Sequence, residues 1–379
     1  MNILHIIVGL ESGGAERALQ RMVEFDVGNT SCTHAVVSLT DAGTIGPELR
    51  RQGVDVLVLR LRSALDLPRV FWRLLGIVRT RRPDIVQTWM YHADFLGGLA
   101  ARLAGPYALV WCVRTTDLPA GNWSVTAVLR WVCARLSHWI PGAIVCAAQA
   151  SRVSHVAVGY DDSKMVVVPN GYDFSRFKAG AGERNAWRTE HGIAVDDLVV
   201  GSVGRWHADK DPNNFIRMAA VLAHQHDHVR FLMVGRGLDS GNQALMRSID
   251  ASGLMQRFVL AGESKDVPLC LAAMDVFCLH SRNEGFPNVL AEAMAMGLPC
   301  VTTDVGDAAM LLGDCGHVVP KQDAAALADG VTRLLQLDPL ARQALGQRAR
   351  ARVLAQFTIA ATRTGFEAVY QRLLNEGRR

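Results

Sequence analysis

The chain has 379 residues, half of them apolar and a fifth charged, with a net charge of +4. That length exceeds one ordinary domain and suits two, and the composition excludes a disordered or fibrous chain. The charge is modest, and no nucleic-acid partner is expected.

The charge is also uneven. Residues 1–178 carry 19 Lys and Arg against 14 Asp and Glu, whereas residues 179–379 carry 21 against 22. An anionic partner surface is therefore expected to meet the N-terminal half. The start, MNILHIIVGLESGG, has no basic lead, and its apolar run ends at Leu10. No uncharged apolar run reaches the roughly 18 residues of a membrane span. These features predict a cytoplasmic protein. The eight cysteines form no CxxC pair, and most sit in apolar runs such as VWCV and VFCL. They read as small core residues in a reducing compartment rather than as zinc ligands or disulfides.

Along the chain, short apolar runs alternate with helical patterns. Candidate strands are 3–10, 34–39, 54–59, 84–89, 108–113, 143–148 and 165–170. A second set follows at 198–204, 229–235, 257–262, 276–281, 300–305 and 317–320. The runs are nearly all apolar, as in parallel strands covered on both faces. Alternation with helices predicts an α/β chain of two doubly wound, Rossmann-like sheets, each of six or seven strands. The small, glycine-rich AGAGERN (179–185) reads as an interdomain linker. The expected domains are 1–178 and 186–355, with 356–379 a helix packing back towards the first. Ligands of such sheets bind beyond the carboxyl ends of the strands, so the loops there are the candidates.

In the N-terminal half, the first strand runs into a glycine-rich turn holding Gly13 and Gly14. The spacing is not the GxGxxG dinucleotide pattern. The next candidate loop presents Trp89, Tyr91, His92 and Asp94. His92 is a candidate acid–base group, with a structural histidine as the plainer alternative. The loop after 108–113 holds Arg114 and Asp117, the latter a second candidate for the proton. Two helical patterns, LPRVFWRLLGIVRTRRPD and AVLRWVCARLSHW, are basic and aromatic. They suit either helices lying on an anionic bilayer or core-facing helices with a solvated basic face.

In the C-terminal half the richest loop is SRNEGFPN (281–288). Pro287 suits a first helical turn and Gly297 a helix stop. The N–H groups of Asn288, Val289 and Leu290 are then expected to be free at a helix N-terminus, a ready site for a diphosphate. Glu284 precedes that helix and Glu292 lies in its second turn. Carboxylates accept well from vicinal hydroxyls, so the pair suggests a sugar–diphosphate–ribose ligand. Gly285 would let the backbone approach it. Each glutamate alone would read as a helix cap or a solvated helix residue.

The segment SRNEGFPNVLAEAMAMGLPCVTTDVG resembles the glutamate-x7-glutamate signature of GT4-type retaining glycosyltransferases. MNILHIIVGLESGGAER resembles that family's N-terminal glycine loop, and VVVPNGYDFSRF its interdomain strand and turn. GSVGRWHADKD resembles its phosphate-gripping loop. FLMVGRG, which contains Gly235, resembles the strand lining the nucleobase pocket. The resemblance implies a GT-B fold, two Rossmann-like domains facing across a cleft. It implies that Glu292 holds the ribose, that Glu284 contacts the donor sugar, and that Arg205 and Lys210 grip the diphosphate. Gly13 and Gly14 would approach the donor phosphates, and Gly285, Phe286 and Pro287 would form the donor-side turn. Arg114 is a departure, since many members carry a histidine near this point. Asp209-Lys210-Asp211 spells an Asp-x-Asp metal motif, yet it falls on the phosphate grip. No metal or other cofactor is expected.

The implied activity is transfer of a sugar from a nucleoside-diphosphate sugar, UDP-linked foremost, to a glycan or lipid-linked acceptor. The setting would be surface polysaccharide synthesis (lipopolysaccharide, capsule or exopolysaccharide), with peripheral contact to an anionic membrane through the N-terminal half. Two rivals stay open: a sugar-nucleotide 2-epimerase of the same fold, and a non-catalytic sugar-nucleotide-binding subunit.

Overall fold

The computed structural model describes residues 1–11, 13–27, 32–115 and 125–376. The chain divides into two units. Unit 1 is Met1–Tyr172 together with Ile359–Arg379, and unit 2 is Asp173–Thr358.

Unit 1 holds strands β1 (Asn2–Ile7), β2 (Thr33–Ser38), β3 (Asp55–Val58), β4 (Ile85–Trp89), β5 (Ala108–Val113), β6 (Ala143–Cys146) and β7 (Met165–Val167). Its helices are α1 (Gly14–Asp26), α2 (Ile45–Arg51), α3 (Leu67–Arg81), α4 (Tyr91–Ala104), α5 (Val125–Leu136) and α6 (Gln149–Val156). The described strands form one parallel sheet, ordered β3-β2-β1-β4-β5-β6-β7. Side chains of α3, α4 and α5 pack one face of this sheet. Those of α1 and α2 pack the other. Each central strand is thus buried on both sides, as its largely apolar sequence requires.

Unit 2 repeats the plan. Its strands are β8 (Leu198–Val203), β9 (Val229–Val234), β10 (Phe258–Gly262), β11 (Val276–Leu279), β12 (Cys300–Thr303) and β13 (Gly316–Val319). Its helices are α7 (Ala181–Glu190), α8 (Pro212–Ala223), α9 (Gln243–Ala251), α10 (Val267–Ala272), α11 (Asn288–Ala295), α12 (Ala308–Leu312), α13 (Ala324–Leu335) and α14 (Pro339–Gln356). The parallel order is β10-β9-β8-β11-β12-β13. In each sheet the chain reverses its direction of growth beside the first strand. That switch point falls between β1 and β4 in unit 1, and between β8 and β11 in unit 2.

The last helix, α15 (Ile359–Glu376), belongs to unit 1. Its stripe Phe366, Val369, Tyr370 and Leu373 is buried in the α1–α2 side of the core. At roughly 1.5–3 kcal/mol for each fully buried large apolar side chain, that stripe is ample to dock a helix. A buried polar line reinforces it. Arg363 Nε bonds Asp26 at 2.7 and 3.0 Å, and Asp26 Oδ2 meets His34 Nε2 at 2.9 Å. His34 Nδ1 in turn meets His5 Nε2 at 2.9 Å in the centre of β1.

Two expectations about boundaries change. The chain leaves unit 1 at Tyr172, not at Lys178. Most of the stretch 179–185 is not a linker but the first turn of α7, which begins at Ala181. Gly180 caps that helix, and its N–H is held by the Glu183 carboxylate at 2.8 Å. Arg184 and Arg188 then clamp Asp275 at 2.7 Å each and bond carbonyls of the α10–β11 turn. Glycine-rich polar composition reads the same in a linker and at a capped helix end, and only these long-range bonds tell them apart. All eight cysteines are buried. Burial pushes the thiols of Cys112, Cys133 and Cys278 up. No described helix is long and apolar enough to cross a membrane.

Candidate donor site at the unit 2 switch point

The loop after β8 carries Gly204, Arg205 and Trp206, then a short turn ending at Lys210. The loop after β11 runs from His280 to Pro287. Because β8 and β11 are neighbours, these loops meet at the switch point, the usual ligand position in such a sheet. They are tied by backbone bonds: the Arg282 and Asn283 N–H groups both donate to the Asp209 carbonyl, at 2.7 and 3.2 Å. His280 adds a third tie, its Nδ1 lying 3.1 Å from the Asp211 carbonyl. A carbonyl only accepts, so Nδ1 carries the proton. Burial pushes the His280 pKa down to about 4, against partial opposition from those backbone bonds, and the ring is neutral at ordinary pH. Asp211 sits at φ 46°, a left-handed conformation unusual for a side-chain-bearing residue. The ties hold it there as the N-cap of α8.

On this frame Lys210 and Glu284 face each other. Lys210 Nζ lies 2.5 Å from Glu284 Oε1, and Ser281 Oγ donates to the same oxygen at 2.7 Å. The two side chains are 24% and 10% exposed, so the pair is partly desolvated and stronger than a surface ion pair. Thr303 Oγ1 supports Ser281 through its carbonyl at 2.7 Å. Both bonds to Glu284 land on Oε1, which leaves Oε2 for another donor. Arg205 is exposed, and among the described residues it forms no ion pair.

Two glycines are required here. Gly235 has φ 138°, and a Cβ on it would stand 1.7 Å from the Gly204 carbonyl oxygen. The strand ends of β8 and β9 can approach this closely only without a side chain. Gly306, at φ 52°, lies against the Glu284 and Gly285 carbonyls, where a Cβ would come within 2.4 and 2.2 Å. The Asp307 N–H donates to the Gly285 carbonyl at 2.9 Å. The glutamate turn is therefore braced from the β12–α12 loop.

The helix behind the turn is α11. Pro287 is its N-cap rather than its first-turn residue. The expectation of three free N–H groups needs correction at Leu290, whose N–H donates to the Pro287 carbonyl at 3.0 Å. That bond forms because the proline, placed at the cap, offers its carbonyl to the first turn. Asn288 is exposed, Val289 half-buried, and Glu292 half-buried in the second turn. The Phe286 ring lies tilted against that of Phe357, with ring centres 5.6 Å apart. The C-terminus closes as expected: Gly297 has φ 76°, with Leu298 N–H bonded to the Ala293 carbonyl and Gly297 N–H to that of Met294.

The unit 1 candidates lie at its own switch point. Gly13 is the extended N-cap of α1, and Glu16 folds back so closely that a Cβ at Gly13 would meet its carboxylate at 2.3 Å. Gly14 faces open space. His92 is half-buried in the first turn of α4, and burial lowers its pKa. Asp94 is fully buried beneath it and bonded by Thr88 Oγ1, and desolvation raises its pKa to about 7. Arg114 is spent on structure: it bonds Asn170 at 2.9 Å and lies 5.3 Å from the ring centres of both Trp89 and Phe366. Asp117 lies outside the described residues.

Sequence reasoning named the charged residues and missed their supports. His280, Ser281, Thr303 and Gly306 were not singled out, although the last three lie inside the family-like segment 281–306.

Comparison with known proteins bears on the fold and the family. Residues 12–176 match the family model described as Glycosyltransferase Family 4, and residues 197–337 the one described as Glycosyl transferases group 1. The chain is 27% identical over 339 residues to the lipopolysaccharide core biosynthesis mannosyltransferase LpcC of Rhizobium leguminosarum bv. viciae, spanning 86% of this chain and 90% of that protein. It is 28% identical over 236 residues to an Escherichia coli UDP-Gal:alpha-D-GlcNAc-diphosphoundecaprenol alpha-1,3-galactosyltransferase, 61% of this chain and 60% of the other. HepE of Anabaena, solved with UDP, superposes with a TM-score of 0.83 at 21% identity over 98% of this chain and all of that one. This likeness establishes the GT-B fold.

Proposed function

The chain belongs to the GT4-type glycosyltransferases, and from that premise we propose that it moves a hexosyl group, with retention, from a UDP-sugar to a hydroxyl of a glycan or lipid-linked acceptor during surface-polysaccharide assembly. The observation that carries this reading is the Lys210–Glu284 pair, held by two tied loops beside the N-terminus of α11. Lys210 and Arg205 supply positive charge for a leaving diphosphate. Glu284 Oε2 accepts from a donor-sugar hydroxyl, and Glu292 accepts from the ribose. The HepE complex with UDP and the UDP-Gal-dependent relative support uridine as the base. That relative's diphosphoundecaprenol-linked acceptor supports a lipid-linked one, and the reaction is assigned here to the cytoplasmic face of a membrane.

In the reaction the bond from the anomeric carbon to the diphosphate oxygen breaks, and a bond to the acceptor oxygen forms on the same face. The acceptor proton passes to the departing phosphate oxygen, so no side chain becomes a nucleophile. The cations and helix end already stabilise the leaving group, and the reaction proceeds without a metal. Unit 1 is assigned the acceptor, with His92 and Asp117 as its candidate polar groups.

A thermal-shift panel of UDP-, GDP-, ADP- and dTDP-sugars tests the donor. A ligand at about 100 times Kd adds roughly 2.7 kcal/mol. UDP-sugars should give the largest shift, and no shift with any of the four would sink the reading. Conversion of labelled sugar nucleotide without an acceptor would point to an epimerase instead. Undiminished transfer in excess EDTA is expected, and a loss restored by a divalent cation would refute metal independence.

A further inference from the structure

Helix α4 follows β4 with a single residue between them. Trp89 ends the strand, Tyr91 begins the helix, and Met90 makes the whole turn. At the other switch point eight residues, 280–287, join β11 to α11. Met90 has φ 70° and ψ 161°. Arg82 and Asp211 also have positive φ, but their ψ of 56° keeps them in the left-handed helical region. The region that Met90 occupies is essentially confined to glycine, because a Cβ crowds the backbone there. Its surroundings hold it in place. The Met90 N–H donates to the Cys112 carbonyl at 3.0 Å, and its carbonyl accepts from the Asp94 N–H at 2.9 Å. Its sulfur accepts from the Arg114 N–H at 3.4 Å, and the half-buried side chain packs against both apolar cores of unit 1.

The same helix gives up stability a second time. Gly97 and Gly98 lie in its interior, where glycine is unfavourable relative to alanine. A Cβ on Gly97 would stand 3.0 Å from side-chain carbons of Ile6 and Thr88, and one on Gly98 2.7 Å from Trp111 Nε1. The helix is thus set hard against β1, β4 and β5. A longer turn would let it stand away from the sheet, and a one-residue turn does not.

We propose that Met90 is a strained positioning residue, whose one-residue turn sets His92 at the carboxyl end of β4 to hold an acceptor hydroxyl. His92 is the second residue of α4, so the strand end and the helix start fix it from both sides without slack. Burial lowers its pKa, and a neutral imidazole has a ring nitrogen free to accept from a hydroxyl. Glycine would make the same turn without strain. A side chain kept there holds the backbone in one conformation, because glycine would also admit others. Strain retained where a simple substitution relieves it belongs with function rather than with stability. This role rests on the acceptor reading of His92 given above, yet the strain is measurable without sugar transfer.

Met90→Gly and Met90→Ala are to be compared in the full chain. Both remove the thioether, and they differ only in the Cβ that creates the strain. In urea unfolding the glycine variant should be the more stable, with a folding equilibrium constant about tenfold above that of the alanine variant. That order reverses the one the two residues show in an ordinary backbone conformation. With labelled donor, the glycine variant should transfer about tenfold more slowly than the alanine variant, with the acceptor KM raised and the donor KM the same in both. In NMR titrations the His92 pKa should lie below the ordinary value in the parent and the alanine variant, and nearer to it in the glycine variant. Circular dichroism establishes that both variants fold. An alanine variant as stable as the glycine variant, or more so, overturns the strain. Equal transfer by the two variants, or an equal His92 titration, overturns the positioning role. Melting indifferent to every sugar nucleotide would sink the donor reading instead, and the stability and titration comparisons would still decide Met90.

Discussion

The two switch points share one topology and use it differently. In unit 2 the loops after β8 and β11 bind each other through backbone, and their charged side chains, Lys210 and Glu284, remain at the surface of that frame. In unit 1 most polar groups near the switch point are turned inward. Asp94 is sealed beside Thr88, Tyr91 bonds His155 at 2.7 Å, and Arg114 lies over the rings of both Trp89 and Phe366. The lesson is that strand order locates a site but does not equip it. A residue's chemistry is available only where the packing leaves its polar atoms without a structural task.

The sharpest break of this comparison is by substitution at each site. Glu284→Ala should cut transfer by about a thousandfold with little loss of thermal stability, because a charge-assisted contact to the reacting sugar is lost. His92→Ala should cost about tenfold. Equal losses, measured with labelled donor, would erase the distinction between the two sites.

The glycines come next. Gly235→Ala should destabilise by about 3 kcal/mol or more, since its Cβ would enter a backbone carbonyl at a left-handed φ. Gly14→Ala should fall within about 1 kcal/mol of the parent, as the added methyl meets open space at a helix start. Urea midpoints of the two variants decide it.

The buried titrating groups predict opposite pH dependences. His280 has a folded pKa of about 4, below its unfolded value of roughly 6.5, so the unfolded chain binds the extra proton. Its contribution is complete above pH about 6.5 and is lost as pH falls towards 4, by about 3 kcal/mol. Asp94 has a folded pKa of about 7, above its unfolded value near 4. Its contribution is present at low pH and lost as pH rises through 7, by about 3 kcal/mol between pH 5 and 8. In urea titrations His280→Asn should flatten the acid limb and Asp94→Asn the neutral limb. A variant that leaves its own limb unchanged would refute the assignment for that group. A modest effect is expected from exposed Arg205: Arg205→Ala should lower kcat and kcat/KM for the donor by about tenfold, as the leaving diphosphate loses one cation.

What could be read in advance was local. All thirteen described strands fall on apolar runs, and the glutamate pair stands where a strand, a proline turn and a helix with a glycine stop follow in order. What escaped reading were partners distant in sequence. Arg184 and Arg188 meet Asp275 some 90 residues away, which turned a supposed linker into a helix. Arg114, standing where a donor-side histidine was looked for, is consumed by Asn170 and two aromatic rings.

The sequence by itself determined the two parallel sheets, the family, and the charges of the candidate site. Periodicity, turn chemistry and motif spacing are properties of neighbouring residues, and those residues suffice to specify them. Only the tertiary structure decided that α15 closes unit 1 through Arg363 and Asp26, that Leu290 surrenders its N–H to Pro287, and that His280 ties the two donor loops. Each of these depends on which distant group removes water from a polar atom and which one replaces it, and that exchange is fixed by packing.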